Sequence, residues 1–221
     1  MNKKPDEKPA SQVSLDPCAE NDGLHLGDIY RDVEFLEWTA ESEDHSTIRS
    51  STLVFPLAMV LGQECDLAGD SALRAKVLPS GRKRPKKANG FMWTTLMLPL
   101  YNASQFFDLS NSCLSGVFDD VYLGTATEPT SVSLEMNHPP GRDLVQTNQD
   151  ARYQFLCFPS SSGIPDCVID FKHYFALRTS YLIDHRAKQC LATLGTLYRE
   201  QVLQRFTFYL SRIGLPDKLE L

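Results

Sequence analysis

Apolar and polar residues alternate in the first patterned part of the chain. In LHLGDIYRDVEFLEW, Ile29, Val33 and Phe35 occupy every second or fourth position between polar residues, which is typical of a half-buried β-strand. The segment STLVFPLAMVLGQ is apolar nearly throughout and predicts a second strand, with a bulge or a break at Pro56. FMWTTLMLPLYN predicts a third strand, which Pro99 either ends or places at a sheet edge.

Two later apolar runs, RYQFLCFP and DCVIDFKHYFAL, are separated by the turn residues SSSGIPD and predict a hairpin with a loop of several residues. Between the third strand and this hairpin, NASQFFDLSNSCLSGVFDDVYLG is compatible with either a short helix or irregular structure. The stretch from Thr125 to Asp150 is rich in Pro, Asn and Thr and predicts a long loop.

The hydrophobic period changes from about Ser180. Apolar residues then recur every three or four positions, which predicts an amphipathic helix rather than a strand: Leu191, Leu194, Tyr198, Val202, Phe206, Tyr209 and Ile213. Gly214 and Pro216 should end this helix. The stripe could pack on the rest of the domain, or it could dock a partner protein or a second copy of the chain.

These elements divide the sequence into three parts. Residues 1–22 are polar and rich in Pro, Lys and acidic residues, which predicts a disordered tail. Residues 23–179 hold the predicted strands, and residues 180–221 form a C-terminal helical segment. Short strands with long connections, followed by a helix, favour the α+β class and a small β-barrel or curled sheet over an alternating parallel fold.

Composition narrows the class of protein further. The 221 residues are 42% hydrophobic, enough for a globular core, and the longest apolar run, at 53–62, is about half of a membrane span. The N-terminal MNKKPDEKPASQ has no apolar segment, so we expect no secretory signal and a soluble cytoplasmic protein. Six scattered cysteines without a CxxC pair predict free thiols, mostly buried, and no metal or other cofactor.

Charge is distributed unevenly along the chain. The net charge is −6, yet residues 74–87, RAKVLPSGRKRPKK, contain seven basic residues and no acid. This pattern predicts a basic loop on an acidic body. Such a loop could contact nucleic-acid phosphates or an acidic partner, or it could only improve solubility.

A polar cluster follows the second predicted strand, in VLGQECDLAGD. If the strand continued, Gln63 and Cys65 would share one face, and Cys65 could be a core thiol while Asp66 caps a turn. Alternatively, Cys65 and Asp66 could join Asp170 and His173, from DFKHY, in a catalytic group. The acidic neighbours of Cys65 disfavour a thiolate.

The motifs in these segments resemble known families. Gly27, Asp28 and Ile29, followed by the strand from Pro56 to Gln63, are similar to the opening of the MazF/PemK toxins, which are SH3-like barrels that cleave RNA. QECDL at 63–67 resembles the Ser-Gln-x-Cys-Asp signature of a largely uncharacterised set of bacterial proteins. Their later segments also resemble RYQFLCFP, VIDFKHY and YREQVLQRFTFYLSRIGLP.

This resemblance implies an SH3-like barrel with long loop insertions and a C-terminal amphipathic helix. It also implies a bacterial toxin-like or phage-defence role directed at nucleic acid, RNA rather than DNA. Phe55 and Gly62, however, stand where the toxins usually carry an arginine and a Ser or Thr, so the fold can carry over without the ribonuclease activity. Whether the chain is an enzyme stays open.

The sequence thus predicts two groups of functional residues. The catalytic candidates are Gln63, Cys65, Asp66, Asp170 and His173. The candidates for phosphate binding are Arg82, Lys83, Arg84, Lys86, Lys87 and Arg152, with Tyr153 and Phe155 either stacking on bases or facing the core. The alternatives are a non-catalytic, protein-binding subunit of a multi-component defence assembly and a cysteine-dependent hydrolase.

Overall fold

A computed structural model describes residues 12–18, 23–40, 48–77, 91–107, 122–123 and 141–212. The strands are β1 (Leu15–Asp16), β2 (Asp28–Ala40), β3 (Ile48–Leu61), β4 (Thr94–Asn102), β5 (Tyr122–Leu123), β6 (Tyr153–Leu156), β7 (Cys167–Asp170), β8 (Phe175–Arg178) and β9 (Cys190–Leu194). The α-helices are α1 (Glu64–Val77), α2 (Ala103–Phe107), α3 (Arg142–Gln146), α4 (Thr179–Gln189) and α5 (Thr196–Leu210). Two 3-10 turns, Ser160–Ser162 and Phe171–His173, flank β7.

The strands form one antiparallel sheet in the order β1-β9-β2-β3-β4-β7-β6, with β5 paired to β3 and β8 paired to β4. One backbone hydrogen bond, from the Val13 N–H to the Cys157 carbonyl at 2.8 Å, links the segment before β1 to the residue after β6. The strand ladder does not close on itself. The combination of this antiparallel sheet with α-helices confirms the predicted α+β class. The sheet that the structure describes is open.

Pro56 does not break the second strand, which runs from Ile48 to Leu61. The irregularity lies instead in the partner strand: Arg31 pairs with Leu57 and Val33 with Phe55, so the intervening Asp32 and Pro56 are not paired. Asp32 adopts a φ of 52° at this point. A proline lacks the N–H that a regular pair would use, and the ladder accommodates it through Asp32.

The prediction for Pro99 is wrong, because Pro99 lies inside β4, a strand with neighbours on both sides. On one side Pro99 pairs with Ala58 of β3. On the other side, β8 pairs with β4 as far as Met97, and β7 takes over from Leu100. Pro99 lies where the partner strand changes, so its missing N–H interrupts no regular ladder on that side.

The predicted hairpin is present as β6 and β7, in which Tyr153 pairs with Asp170. The second half of the hairpin is not one continuous strand. After Asp170 the chain makes the 3-10 turn Phe171–His173 and then forms β8, which pairs with the start of β4. This change of partner bends the chain at Asp170. In the turn that follows, Phe171 is buried, Lys172 is exposed and His173 is partly exposed.

The C-terminal segment differs from the prediction of one long helix stripe. Leu191 and Leu194 lie on β9, which pairs with both β1 and β2. The helix α5 begins only at Thr196, and its stripe residues Val202 and Phe206 are buried. Ile213 and the predicted helix stop at Gly214 and Pro216 lie outside the described residues. The spacing of three between Leu191 and Leu194 fits a helix stripe, but both residues lie in a five-residue strand, in which Leu191 is exposed and Leu194 is buried.

Two buried apolar clusters hold these elements together. The larger one lies between the sheet and the helices α1, α4 and α5, and includes Tyr30, Met59, Leu67 and Phe206. The smaller one lies beside β6 and β7 and consists mainly of Tyr101, Ala103, Phe106, Val145, Tyr153, Phe155 and Val168. Among the described residues, none of the helices is both long and apolar enough to cross a membrane.

The expectation of free thiols is wrong for two cysteines, because Cys18 and Cys190 form a disulfide. The pairing of β1 with β9 brings them together across 172 positions of sequence, so no local pattern indicates it. Cys65, Cys157 and Cys167 are free. Cys167 is fully buried, and burial raises the pKa of its thiol far above the usual range, as expected of an inert core cysteine.

Candidate functional site

The polar group with the most chemistry centres on Asp170, at the end of β7. The Arg152 guanidinium donates to both carboxylate oxygens, from Nε at 2.8 Å and from Nη2 at 2.6 Å. The backbone N–H of Lys172 donates to the same carboxylate at 3.0 Å, so Asp170 also caps the 3-10 turn. The pairing of β6 with β7 explains this contact, because Arg152 immediately precedes the residue that faces Asp170.

His173 and Tyr101 complete this group, which we call the Asp170 cluster (Tyr101, Arg152, Asp170 and His173). The Nδ1 atom of His173 lies 3.5 Å from the Asp170 carboxylate and 2.9 Å from the Tyr101 hydroxyl. Burial, and then the nearby Asp170 charge, raise the pKa of Tyr101 far above 10, so its hydroxyl stays protonated. When Nδ1 of neutral His173 carries the proton, it can donate to the Tyr101 oxygen, and Nε2 is left unprotonated.

The electrostatics of the cluster favour a neutral imidazole at neutral pH. Burial lowers the pKa of His173 below its ordinary value of 6.5, an effect that Asp170 opposes in part. The carboxylate itself is fully buried, whereas Arg152 and His173 are each about one-third to one-quarter exposed. The cluster therefore presents a cation and a neutral base to solvent above a buried anion.

The surroundings of the cluster decide which aromatic residues a ligand can reach. Tyr153 and Phe155 are buried in the smaller core, so they do not offer faces for base stacking. The Arg152 guanidinium lies 5.0 Å above the Tyr153 ring, and burial raises the pKa of Tyr153 to about 12. Lys172 and Tyr174, on either side of His173, are exposed.

The residues Gln63, Cys65 and Asp66 lie elsewhere. The strand ends at Leu61, and Cys65 and Asp66 are in the first turn of α1, so the strand alternation that would make Cys65 a core thiol is wrong. Cys65 is exposed, and its sulfur lies 3.7 Å from Gln63 Oε1 and 3.9 Å from Asp66 Oδ1. In the described part of the chain, no hydrogen bond or ion pair joins these residues to the Asp170 cluster.

Glu64, which the sequence did not single out, makes the structural contacts in this motif. It accepts hydrogen bonds from the backbone N–H of Leu26 at 2.9 Å and shares one of 2.6 Å with His25 Nδ1. Arg199 of α5 lies 3.9 Å from the same carboxylate. Burial would raise the pKa of Glu64, but the contacts with His25 and Leu26 outweigh it and lower the pKa. Glu64 thus ties α1 to the turn before β2.

A second buried carboxylate, Asp28, starts β2. It accepts from the Arg186 guanidinium, from the Thr193 hydroxyl at 2.6 Å and from the His25 backbone N–H at 2.8 Å. The partners are up to 165 positions apart in sequence, so no motif could indicate the group. Asp28 also lies with the Cys18 and Cys190 sulfurs within 4.8 Å, but these sulfurs are bonded to each other, so the group does not fit a metal ion.

The predicted basic loop is described only at its beginning. Arg74 belongs to α1 and is structural: its Nε donates to Asp70 at 2.5 Å, and its Nη2 donates to the Met92 carbonyl at 2.9 Å. The phosphate-binding candidates Arg82, Lys83, Arg84, Lys86 and Lys87 lie outside the described residues. Of the predicted phosphate-binding residues, Arg152 is the one whose surroundings the structure describes.

Fold and site together define an α+β protein with an open antiparallel sheet and an Asp-Arg-His-Tyr cluster at the end of its β6–β7 hairpin. Comparison with protein-family models, with curated proteins and with solved structures finds no match to this chain.

Proposed function

We propose that this protein acts on or binds nucleic acid, RNA rather than DNA, as a toxin-like or phage-defence-associated protein, and that the Asp170 cluster meets the phosphate backbone. The observation that carries the proposal is that the partly exposed Arg152 and His173 are held side by side by one buried carboxylate. A fixed guanidinium beside a base of near-neutral pKa is the pair of groups that phosphodiester chemistry uses.

Arg152 supports phosphate binding through the donors that Asp170 does not use. Asp170 accepts from Nε and Nη2, and a guanidinium has five N–H donors in all. The two N–H groups of Nη1 would therefore serve a phosphate oxygen. Exposed Lys172, two residues from Asp170, would add a second positive charge at the same position.

His173 supports a catalytic version of the proposal. With Nδ1 facing Tyr101, the Nε2 atom would be the one that exchanges a proton with the ligand, and the lowered pKa keeps the imidazole neutral near pH 7. In RNA, a neutral histidine can accept the proton of a ribose 2′-hydroxyl while an arginine stabilises the charge that develops on the phosphate. DNA lacks this hydroxyl, which is why the proposal favours RNA.

The kinship with SH3-like MazF/PemK barrels is part of the same proposal. A curled antiparallel sheet with a long β2–β3 hairpin supports it, as does the hydrogen bond of Val13 that links the two ends of the sheet. In this proposal the basic stretch from Arg82 to Lys87 provides additional, sequence-independent contacts to phosphates.

A second candidate function is a non-catalytic, protein-binding subunit of a defence assembly. The observation that favours it is that both carboxylate oxygens of Asp170 already pair with Arg152, which makes the cluster stable without a ligand. The cysteine-dependent hydrolase has less support. Cys65 is exposed, and its sulfur contacts the oxygens of Gln63 and Asp66 rather than a cation that would stabilise a thiolate.

The proposal is tested with purified protein and a short single-stranded RNA, with the DNA of the same sequence in parallel, at low and physiological salt. Lys172→Gln should weaken binding and reduce the salt dependence by about one released counterion. His173→Asn should reduce cleavage about 100-fold or more and leave binding nearly intact. The matched control is Arg178→Gln, which removes one exposed charge outside the cluster.

Melting temperatures of all variants separate loss of function from loss of folding. A variant with residues 82–87 neutralised reports the share of the basic stretch in binding. If the wild type neither binds nor cleaves RNA or DNA, the nucleic-acid function is wrong and the protein-binding subunit takes its place. If binding occurs but Lys172→Gln and Arg178→Gln weaken it equally, the Asp170 cluster is not the contact site.

A further inference from the structure

The helix α5 contacts the chain segments that carry the two partly exposed groups of the Asp170 cluster. Phe206 packs edge to face against Phe171 and Tyr174, with ring centroids 5.9 and 5.3 Å apart. These two aromatic residues lie on either side of His173 along the chain, so Phe206 supports the turn that carries His173. The same helix holds the segment of the other partly exposed group through hydrogen bonds.

Arg205 of α5 reaches the segment that carries Arg152. Its Nη1 atom donates to the Asn148 carbonyl at 2.8 Å. Its Nη2 atom donates to the carbonyls of Asp150 and Tyr153, at 2.6 and 2.8 Å. Two of these carbonyls precede Arg152 and one follows it, so a single guanidinium holds the backbone on both sides of Arg152.

Asp150 connects these contacts to Arg152. The Asp150 carboxylate accepts from the Arg152 backbone N–H at 2.8 Å, while the Asp150 carbonyl accepts from Arg205. The segment 148–152 is half-buried or exposed, so without Arg205 its carbonyls would turn to water and the segment would move outward. That movement would withdraw the Arg152 guanidinium from Asp170, which stays in the fully buried strand β7.

From this arrangement we propose that Arg205 is a positioning residue of the Asp170 cluster. It holds the segment 148–153 so that Arg152 keeps both hydrogen bonds to Asp170 and turns its remaining donors to a phosphate. In this role Arg205 does not touch the ligand and acts through Arg152. The inference rests on the proposed function for the identity of the ligand, whereas the effect of Arg205 on the cluster is measurable without any ligand.

Arg199 provides the internal comparison, because it lies on the same helix and contacts a different part of the protein. Its guanidinium is 3.9 Å from the Glu64 carboxylate, and its side chain is 18% exposed. It therefore connects α5 to α1 rather than to the segment before β6. Changing either arginine to lysine keeps the charge and replaces the planar set of donors with one ammonium group.

The test that needs no ligand is the NMR titration of the His173 imidazole in the full chain, with His173→Asn to identify its resonance. Burial lowers the pKa of His173, and Asp170 opposes this effect. The Arg152 and Lys172 charges reinforce it, and the Tyr101 hydroxyl contacts the ring. A displaced Arg152 should therefore raise the titration midpoint, and Arg152→Met gives the full size of that increase.

Arg205→Lys should raise the His173 midpoint by about half of the Arg152→Met increase or more, because one ammonium group cannot serve three carbonyls in the geometry of a guanidinium. In the Arg152→Met background, Arg205→Lys should cause no further increase. Arg199→Lys is the matched control and should leave the midpoint at the wild-type value. Circular dichroism confirms that each variant is folded at the temperature of the titration, and if Arg152→Met does not fold, the difference between Arg205→Lys and Arg199→Lys decides.

The second readout is the binding of short single-stranded RNA at low salt. Loss of a hydrogen bond from Arg152 to a phosphate should weaken binding about 10-fold or more in Arg152→Met. Arg205→Lys should lose part of the same affinity, and the double variant should bind no more weakly than Arg152→Met alone. Arg199→Lys should bind like the wild type.

The two readouts separate the positioning role from the proposed function. A wild type that does not bind RNA overturns the proposed function, and the titration then decides the role of Arg205. An unchanged His173 midpoint in Arg205→Lys overturns the positioning role, even when RNA binds. An equal increase in Arg199→Lys also overturns it, as does an undiminished increase in the Arg152→Met background, because Arg205 would then not act through Arg152.

Discussion

Asp28→Asn exchanges one carboxylate oxygen for an amide group inside the core and leaves the side chain nearly the same size. Asp28 is fully buried and holds three partners: the Arg186 guanidinium, the Thr193 hydroxyl and the His25 backbone N–H. The substitution removes the negative charge while Arg186, whose side chain is only 3% exposed, stays charged. We therefore expect a large loss of stability from a small change in shape.

The magnitude follows from the burial of the pair. Removing one member of a buried ion pair costs about 3–5 kcal/mol, because the other charge loses its compensation. The asparagine Oδ1 can still accept from Thr193, so we expect a value near the lower limit, about 3 kcal/mol. With a urea dependence of about 2–3 kcal/mol per M for a chain of this size, the unfolding midpoint should fall by about 1 to 1.5 M.

Urea unfolding followed by circular dichroism measures this shift. The matched control is Asp184→Asn, the same chemical change at an exposed position of α4, which should change the unfolding free energy by less than about 0.5 kcal/mol. The double variant Asp28→Asn with Arg186→Met should be more stable than the sum of the two single losses predicts, because it removes both charges together.

Two results would contradict this reasoning. A loss below about 1 kcal/mol for Asp28→Asn would mean that Arg186 is solvated or has another counter-charge. Strictly additive losses in the double variant would mean that the two side chains do not interact energetically. In either case the contact would not hold the start of β2 against α4.

Two further predictions concern pH and redox state. Burial lowers the pKa of His173, so the midpoint of its NMR titration should lie below 6.5, and Asp170→Asn should lower that midpoint further by removing the negative charge that stabilises the imidazolium. The stability that neutral His173 provides should be lost as the pH falls from 6.5 through the pKa of the folded state. A titration midpoint above 6.5 would contradict this prediction. Reducing the Cys18–Cys190 disulfide should lower the free energy of unfolding by about 5 kcal/mol, the chain-entropy value for a separation of 172 residues. Cys65→Ser is the control and should change the free energy of unfolding little, because Cys65 is a free thiol. A urea midpoint that does not move on addition of reductant would contradict this prediction.

The sequence predicted the strands well where burial alternates along one face. β2 shows this from Val33 onward: Val33 is buried and Phe35 is half-buried, whereas Glu34 and Leu36 are exposed. Before the unpaired Asp32 the alternation fails, because Tyr30 is buried and Arg31 is exposed. Pro99 shows the limit of the approach. Its effect depends on which strand lies beside each residue of β4, and the change of partner from β8 to β7 is a property of the whole sheet.

The predicted boundaries between strands and helices were also wrong where tertiary pairing decides the structure. In QECDL the alternation predicts a continued strand, but β3 ends at Leu61 and α1 begins at Glu64, because Glu64 and Asp66 form an acidic first turn that favours a helix start. A spacing of three between Leu191 and Leu194 fits one face of a helix, but in β9 it places the two side chains on opposite faces, so Leu191 is exposed and Leu194 is buried. Tertiary pairing with β1 and β2 decides in favour of a strand there.

The sequence indicated only those members of the candidate site that lie close together along the chain. Asp170 and His173 are three residues apart, so their neighbourhood was visible in DFKHY. Arg152 was identified for its charge, but its pairing with Asp170 follows from the register of the hairpin. Tyr101 is 72 positions from His173 and reaches it from β4, so nothing local could indicate it.

The two buried aspartates differ in how far solvent can reach their arginine partners. Asp28 and Asp170 both lie at a strand end, both are fully buried, and each accepts from an arginine. The Arg186 side chain is 3% exposed, whereas the Arg152 side chain is 32% exposed. A phosphate could reach only Arg152 without unfolding the surrounding structure, because the carboxylate would hold the guanidinium in place while the ligand uses its outer donors. Under the proposed function, the same type of pair would stabilise the fold at Asp28 and orient a binding group at Asp170.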